Sequence, residues 1–301
     1  MRIGLSGGGA SIDRMVEQAR TAEADGFSSL WYAGAVSGDP LAAMAIVGRA
    51  TGAIELGTSV LQTYPTHPLA MANRAAGAAA AIGRPGFTLG LGPSHAPVIE
   101  GVYGYSYDRP GTHTEEYARI VCAALRGETV DFTGEVLSAH GLGRVAAPEH
   151  PVPVLLGALA PRLLRVAGEV ADGTITWMAN ARAVADHVSP LIRKAAAGRD
   201  VRIVVGLPVC VHDDEAEARA EAATQFAIYA GLPNYQRILA VGGAPGPADA
   251  AIVGDERSVT AQITAIFDAG ATDVWLAPFP VGDRNGSRAR TRTLLNELAR
   301  A

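Results

Sequence analysis

Cysteine is scarce. The 301 residues hold two, Cys122 and Cys210, far apart on an expected helix and an expected strand. That excludes a disulfide framework; both read as buried structural thiols in a reducing cytoplasm. Long apolar runs are also missing: none approaches the ~20 residues that a membrane helix needs. The alanine-rich stretch from Ala75 to Ala81 belongs to an amphipathic helix flanked by Arg74 and Arg84. The opening residues MRIGLSGG run straight into a strand, without a signal-peptide pattern. Basic residues are not in excess. A net charge of −5 and a pI of about 5.8 argue against a nucleic-acid partner. Metal-ligand spacing is absent among His140, His150, His187 and His212, and no His-Cys cluster exists, so no metal is expected. There is no G-x-S-x-G nucleophile elbow, and adjacent Ser94 and His95 do not make a nucleophile–base pair by sequence alone. The glycines Gly7-Gly8-Gly9 lead to Ala10 and Ser11, not to the G-x-G-x-x-G of a dinucleotide site.

What the chain does have is alternation. Strand patterns fall at Arg2–Ser6, Ser28–Tyr32, Glu55–Leu61, Phe87–Leu91, Val152–Leu156, Thr174–Trp177, Val201–Val211 and Asp273–Ala277, with helices between them. The first helix has Ser11 as N-cap, an apolar face of Ile12, Met15, Val16, Ala19 and Ala22, and Gly26 after its end. Asp39-Pro40, His67-Pro68 and Ala160-Pro161 open later helices, with proline where its missing N–H costs nothing. Eight strands alternating with helices point to a (β/α)8 TIM barrel with insertions, in one domain over residues 1–301; an open doubly wound sheet is the alternative. Two regions break the alternation. Tyr103 to Gly143 holds a helix, Thr112–Leu125, and a hairpin of Thr129–Phe132 and Glu135–Ser138 around Thr133-Gly134. Pro208 to Ile252 holds a long helix, Asp214–Tyr229, a turn at Gly231-Leu232-Pro233 and a shorter helix. Insertions of this length cover a site or build an oligomer interface, and a homodimer is expected.

The segment from Glu55 to His95 marks the site. Ile54 to Leu61 is apolar without alternation, as in a strand buried on both faces. Gly90-Leu91-Gly92-Pro93-Ser94-His95 ends the next strand with little side-chain bulk, so backbone can approach a flat ligand. Ligands on parallel β/α folds sit at the carboxyl ends of strands.

Four patterns together, LWY after the second strand, LGTSV…HP at the third, TLGLGPSH at the fourth and LLGALAPRLLRVAGEVADG at the fifth, resemble the bacterial-luciferase-like superfamily. The late strand GDERSV…DAGATDVWLAPF extends the likeness over nearly the whole chain, which looks nearest to the actinobacterial branch that uses the deazaflavin coenzyme F420. The resemblance implies a TIM barrel, a flavin or deazaflavin at the strand carboxyl ends and redox chemistry on a small-molecule substrate. It places a cis peptide at Ser59-Val60 against one face of the ring, Gly92-Pro93-Ser94 along its border and a phosphate loop from Gly157 through Ala158, Leu159, Ala160 and Arg162 to Leu163. It adds Trp177 as a phosphate-side contact and brings Ser6, at the end of the first strand, into the cofactor set. Small residues before a helix start present free N–H groups and a positive dipole end to a phosphate in any family. Two departures stand out. Many deazaflavin members end the second strand with Asp-His, where this chain has Gly34 and Ala35, and some sugar-phosphate dehydrogenases carry Glu where this chain has His95. The implied activity is an F420-dependent oxidoreductase acting on a C=C, C=O or C=N bond; an FMN-dependent monooxygenase and a non-catalytic flavin-binding barrel are the alternatives.

His95 has two readings, a proton donor to a reduced substrate or a hydrogen-bonded wall. Gln62 and Tyr64, just past the third strand, face the polar edge of the ring or pack the loop; Tyr64 is the second catalytic candidate. His67 reads as structural, and His113 with Glu115-Glu116 as a solvated helix face. Arg288–Arg292 reads as a solvated helix start, with a contact to the coenzyme's acidic tail as the other reading. Trp31 reads as core, and Tyr103, Tyr105 and Tyr107 as core or pocket mouth.

Overall fold

The computed structural model describes residues 1–33, 38–141 and 148–301; Gly34 and Ala35 lie outside the described residues. Among the described residues eight parallel strands form the centre: β1 (Ile3–Gly7), β2 (Ser29–Tyr32), β3 (Glu55–Thr58), β4 (Phe87–Gly92), β5 (Val154–Leu156), β6 (Gly173–Trp177), β7 (Arg202–Val211) and β8 (Asp273–Pro278). Each pairs with the next, and β8 pairs back onto β1 with Val274 opposite Ile3, so the sheet closes into the expected TIM barrel. Helices coat the outside. The apolar residues that face them from the strands give the near-continuous hydrophobic pattern of a sheet buried on both sides.

Caps start the helices where the side chains predict. Ser11 Oγ accepts from the Arg14 N–H ahead of α1 (Ile12–Ala24), and Asp39 accepts from the Leu41 N–H ahead of α2 (Pro40–Arg49). The His67 ring accepts from the Leu69 N–H at the start of α3 (Pro68–Ile82), which is the structural role expected of it. Gly83 ends α3 in the left-handed region, at φ 68°, where a side chain would be strained.

Inside the barrel, side chains stack in tiers two residues apart, because alternate residues of each strand point inward. The lowest tier is ionic. Arg202 pairs with Glu55 and with Asp273, each at 2.7 Å, and Arg2 reaches Asp273 at 2.6 Å. Two residues up, Trp31, Leu155, Ile175, Val204 and Trp275 form an apolar tier. Each indole there lies opposite a glycine of the neighbouring strand, Trp31 opposite Gly57 and Trp275 opposite Gly206. A Cβ at Gly57 would stand 2.2 Å from the Trp31 ring, and one at Gly206 would stand 2.1 Å from that of Trp275. The glycines make room for the indoles that close the barrel under the site.

The structure departs from the expectations at several elements. The third strand does not run to Leu61: it stops at Thr58, and after a break Leu61–Gln62 pairs separately with Leu91 and Gly92 of β4. The hairpin is shifted to Asp131–Thr133 and Ser138–His140. Its turn is held by Glu116, which accepts from the N–H groups of Glu135, Val136 and Leu137. The long helix ends at Gln225 and a 3-10 turn, Ala227–Gly231, follows. A short helix, α4 (Ala96–Gly101), follows His95 where none was expected. The helix α5 (Pro110–Leu125) does not present His113 and Glu116 to water: Glu116 is buried on the hairpin, and the half-buried His113 ring stacks on Tyr64 at 3.9 Å. Arg290 is tied to Asp213 and Glu256 and Arg292 to Asp25, so both serve the last helix, Arg284–Arg300. Cys122 and Cys210 are buried and free.

Candidate active site

A cavity of about 130 Å³ opens at the carboxyl ends of the barrel strands, among the ends of β3 to β6, Trp275 of β8 and Asn234-Tyr235 of the second insertion. One wall is built by backbone. The Ser59–Val60 peptide is cis, at the bond where the resemblance put it. Glycines let Val60 lie down over the barrel: a Cβ at Gly92 would come 2.7 Å from Val60 Cγ2, and one at Gly157 would come 3.4 Å from it. Thr58 Oγ1 donates to the Gly90 carbonyl at 2.8 Å and accepts from its N–H at 2.7 Å, which locks β3 to β4 just below. Ser94 turns away from β4 at φ 63°, and Met178 does the same after β6 at φ 65°. Non-glycine residues in this region cluster where a site imposes its own geometry.

The opposite wall is the loop from Gly157 into α6 (Pro161–Glu169). Its carbonyls are engaged. Thr174 Oγ1 donates to the Leu156 carbonyl at 2.8 Å, and the His187 ring bonds the Leu159 carbonyl at 2.9 Å. No described residue accepts from the N–H groups of Leu159, Ala160, Arg162 or Leu163, and α6 has no side-chain cap. Those donors sit at the positive end of a helix, which suits an anion.

Aromatic rings make the third side. Trp177 stacks on Trp275 with centroids 4.9 Å apart, and Tyr235 lies 5.6 Å from the His95 ring. His95 is half-buried, and burial lowers its pKa from the ordinary value, so the neutral imidazole prevails at neutral pH. A neutral imidazole accepts a proton more readily than it donates one.

Comparison with known proteins agrees with this geometry. The luciferase-like monooxygenase family matches residues 2–299. The chain belongs to that family. Among its relatives, a 5,10-methylenetetrahydromethanopterin reductase of Methanolobus tindarius is 29% identical over 227 residues, 73% of this chain and 69% of that protein. An F420-dependent hydroxymycolic acid dehydrogenase of Mycobacterium tuberculosis is 31% identical over 237 residues, 71% of this chain and 63% of that protein. The solved structure of an F420-dependent secondary alcohol dehydrogenase, in complex with an F420-acetone adduct, has the same fold: the TM-score is 0.79 at 19% identity, over 97% of both chains.

In this luciferase-like protein, Ser59, Val60, Gly92, Pro93, Ser94, His95, Gly157, Leu159, Ala160, Leu163 and Trp177 all line the cavity. The other candidates do not. The Ser6 carbonyl is taken by Gln18, at 3.3 Å. Gln62 lies behind the wall and donates to Ser94 Oγ at 3.3 Å. Ala158 is fully buried beneath its loop. Arg162 turns outward to Thr112 and Glu115, at 3.0 and 3.3 Å. Tyr64 packs between His113 and Tyr107, and burial raises its phenol to about 12. Among the described residues no group of three or more His, Cys, Asp or Glu converges as a metal site would need.

Residues that the sequence reading passed over also line the cavity: Ile175, Thr176, Asn234, Tyr235 and Trp275. Alternation along β6 and β8 carries the signal for Ile175 and Trp275, which face inward with Trp177 and Asp273. Nothing in the local sequence marks Asn234 or Tyr235. A flat, polar-edged cofactor fits this site. Ser59 Oγ, Thr176 Oγ1 and Trp275 Nε1 are buried in the lining without a hydrogen-bond partner, and buried polar atoms are seldom left so.

Proposed function

We propose that this protein is an F420-dependent oxidoreductase that moves hydride between the deazaflavin coenzyme and a small organic substrate, across a C=C, C=O or C=N bond. The observation that carries the reading is the cavity with two unlike walls, one of bare glycine-bedded backbone at Ser59–Val60 and one of free main-chain N–H groups at Leu159 to Leu163. A flat ring suits the first and its phosphate the second. Relatives and fold neighbours named for F420 support the choice of cofactor.

When bound, F420 supplies the hydride acceptor or donor, and the protein binds, orients and excludes water. In this chain Val60 would support one ring face. The amides of Leu159, Ala160, Arg162 and Leu163 would hold phosphate by hydrogen bonds and the dipole of α6. Trp177 and Trp275 close the site from below and keep water out of the barrel. His95 would take the proton from the substrate in oxidation and return it in reduction, a service worth ~10²–10⁴-fold in rate.

Titration of the purified protein with F420 and with FMN tests the reading. F420 is expected to bind at micromolar affinity and FMN at least tenfold more weakly. Ala160→Asp, which puts a negative charge at the start of α6, is expected to weaken F420 binding by about tenfold, from like-charge repulsion of about 1.4 kcal/mol. Micromolar FMN binding without F420 binding would make the protein a flavin enzyme instead.

A further inference from the structure

Five rings run in sequence around one side of the cavity. His95 meets Tyr235 at 5.6 Å, Tyr235 meets Tyr229 at 4.8 Å, Tyr229 meets Trp177 at 5.9 Å, and Trp177 stacks on Trp275 at 4.9 Å. Tyr229 and Tyr235 come from the second insertion, so two of the five rings are added to those of the barrel. Among the described residues that line the cavity there is no Asp, Glu, Lys or Arg. The guanidiniums of Arg237 and Arg162 stand close to lining residues in sequence: Arg237 is exposed and held on its own helix by Asn234 Oδ1 and the Pro233 carbonyl, and Arg162 is drawn to Thr112 and Glu115.

From this we propose that the substrate is an uncharged molecule with a ring or planar unsaturated group, seated against the arc beside His95; the proposal rests on the oxidoreductase reading. An anionic substrate would give up its water here and meet no side-chain cation among the described lining residues, since the free amides of the α6 loop are assigned to phosphate. A cationic substrate would need open ring faces and a nearby carboxylate. The Trp177 face is covered by Trp275, and Tyr229 and Tyr235 meet edge to face at 74°, so the rings largely satisfy one another. What remains is apolar surface with ring edges, which favours a neutral, flat partner.

Calorimetric titration of the F420-loaded protein with matched probes tests this. The probes are cyclohex-2-enone, its 3-carboxylate and a cyclohexenyl trimethylammonium salt. The ketone is expected to bind at least tenfold more tightly than either ion. Trp177→Ala is expected to weaken the ketone by tenfold or more, while Arg237→Gln changes it less than twofold. Either ion binding as tightly as the ketone, or no probe binding up to its solubility limit, overturns the proposal. Should Trp177→Ala fail to fold, the comparison of probes on the native protein still decides. F420 affinity is read separately from coenzyme absorbance, and the probe titration is repeated without coenzyme. Ring preference without F420 binding overturns the cofactor reading alone; F420 binding without ring preference overturns this proposal alone.

Discussion

At the scale of single residues, the proposed proton transfer rests on His95. It stands three residues past the end of β4, at the start of α4, and lines the cavity with Gly92, Pro93 and Ser94. Burial lowers its pKa, and the neutral ring is the form that accepts a proton. The sign of the pH dependence follows. In the direction of substrate oxidation, turnover should be flat through neutral pH and should fall as pH drops through the lowered pKa, where the ring becomes charged. His95→Asn keeps hydrogen bonding but cannot take the proton; turnover should drop ~10²–10⁴-fold. F420 affinity should stay within about threefold, because the phosphate loop is untouched. Steady-state rates across pH 5 to 9, with coenzyme titrations of the same variant, check both points. An Asn variant with full turnover would reduce His95 to a wall of the cavity.

At the scale of elements, the first insertion depends on one carboxylate. Glu116 is 7% exposed on α5 and accepts from three successive N–H groups of the hairpin turn. Gly134 belongs to the same arrangement, since a Cβ there would stand 2.3 Å from the Glu116 carboxyl carbon. Hydrogen bonds to a charged group contribute about 1.5–3 kcal/mol each where buried and less where water can replace the acceptor, as it can in part at this half-exposed turn. Glu116→Ala should therefore destabilise the protein by about 2–4 kcal/mol. It should also raise amide exchange across residues 131–140 while leaving coenzyme binding nearly intact. Unchanged exchange in the hairpin would mean that its own strand pairing suffices to hold it.

The whole molecule is tied at its base by ions and sealed beneath the cavity by an apolar tier with two indoles. Arg2, Glu55, Arg202 and Asp273 link β1, β3, β7 and β8, which are distant in sequence. Burial alone would raise the Asp273 carboxyl, but Arg202, Arg2 and Thr272 outweigh it and hold the carboxyl below its ordinary value. A carboxylate with a lowered pKa contributes stability that is present above its unfolded pKa, about 4, and is lost as pH falls below it. Urea unfolding at a series of pH values should show stability level from pH 8 to about 5 and declining below about 4. Asp273→Asn should cost about 3–5 kcal/mol near neutrality, because it strands part of a buried network. It should also flatten the acid decline. An equally stable variant with the same acid decline would remove the ionic tier from the account of how the barrel closes.

The sequence by itself determined the order of the barrel strands, the helix starts and the backbone wall of the site. Those features are local: a buried parallel strand is apolar throughout, Ser11 and Asp39 cap the residues next to them, and Gly92 and Gly157 have no side chain wherever they fall. The Ser59–Val60 position was legible only through the resemblance of the surrounding residues to the luciferase-like family. Tertiary structure decided the rest. Glu116 and His113 look like solvated helix residues until the hairpin turn and Tyr64 arrive from elsewhere in the chain to cover them. Arg162 belongs to the phosphate loop in sequence, yet Thr112 and Glu115 of α5 draw its side chain outward. Tyr235 enters the site only because the second insertion folds back over the barrel mouth beside His95. Local hydrogen bonding and periodicity are written in neighbouring residues, whereas the direction of a long side chain depends on partners that only the closed fold brings within reach.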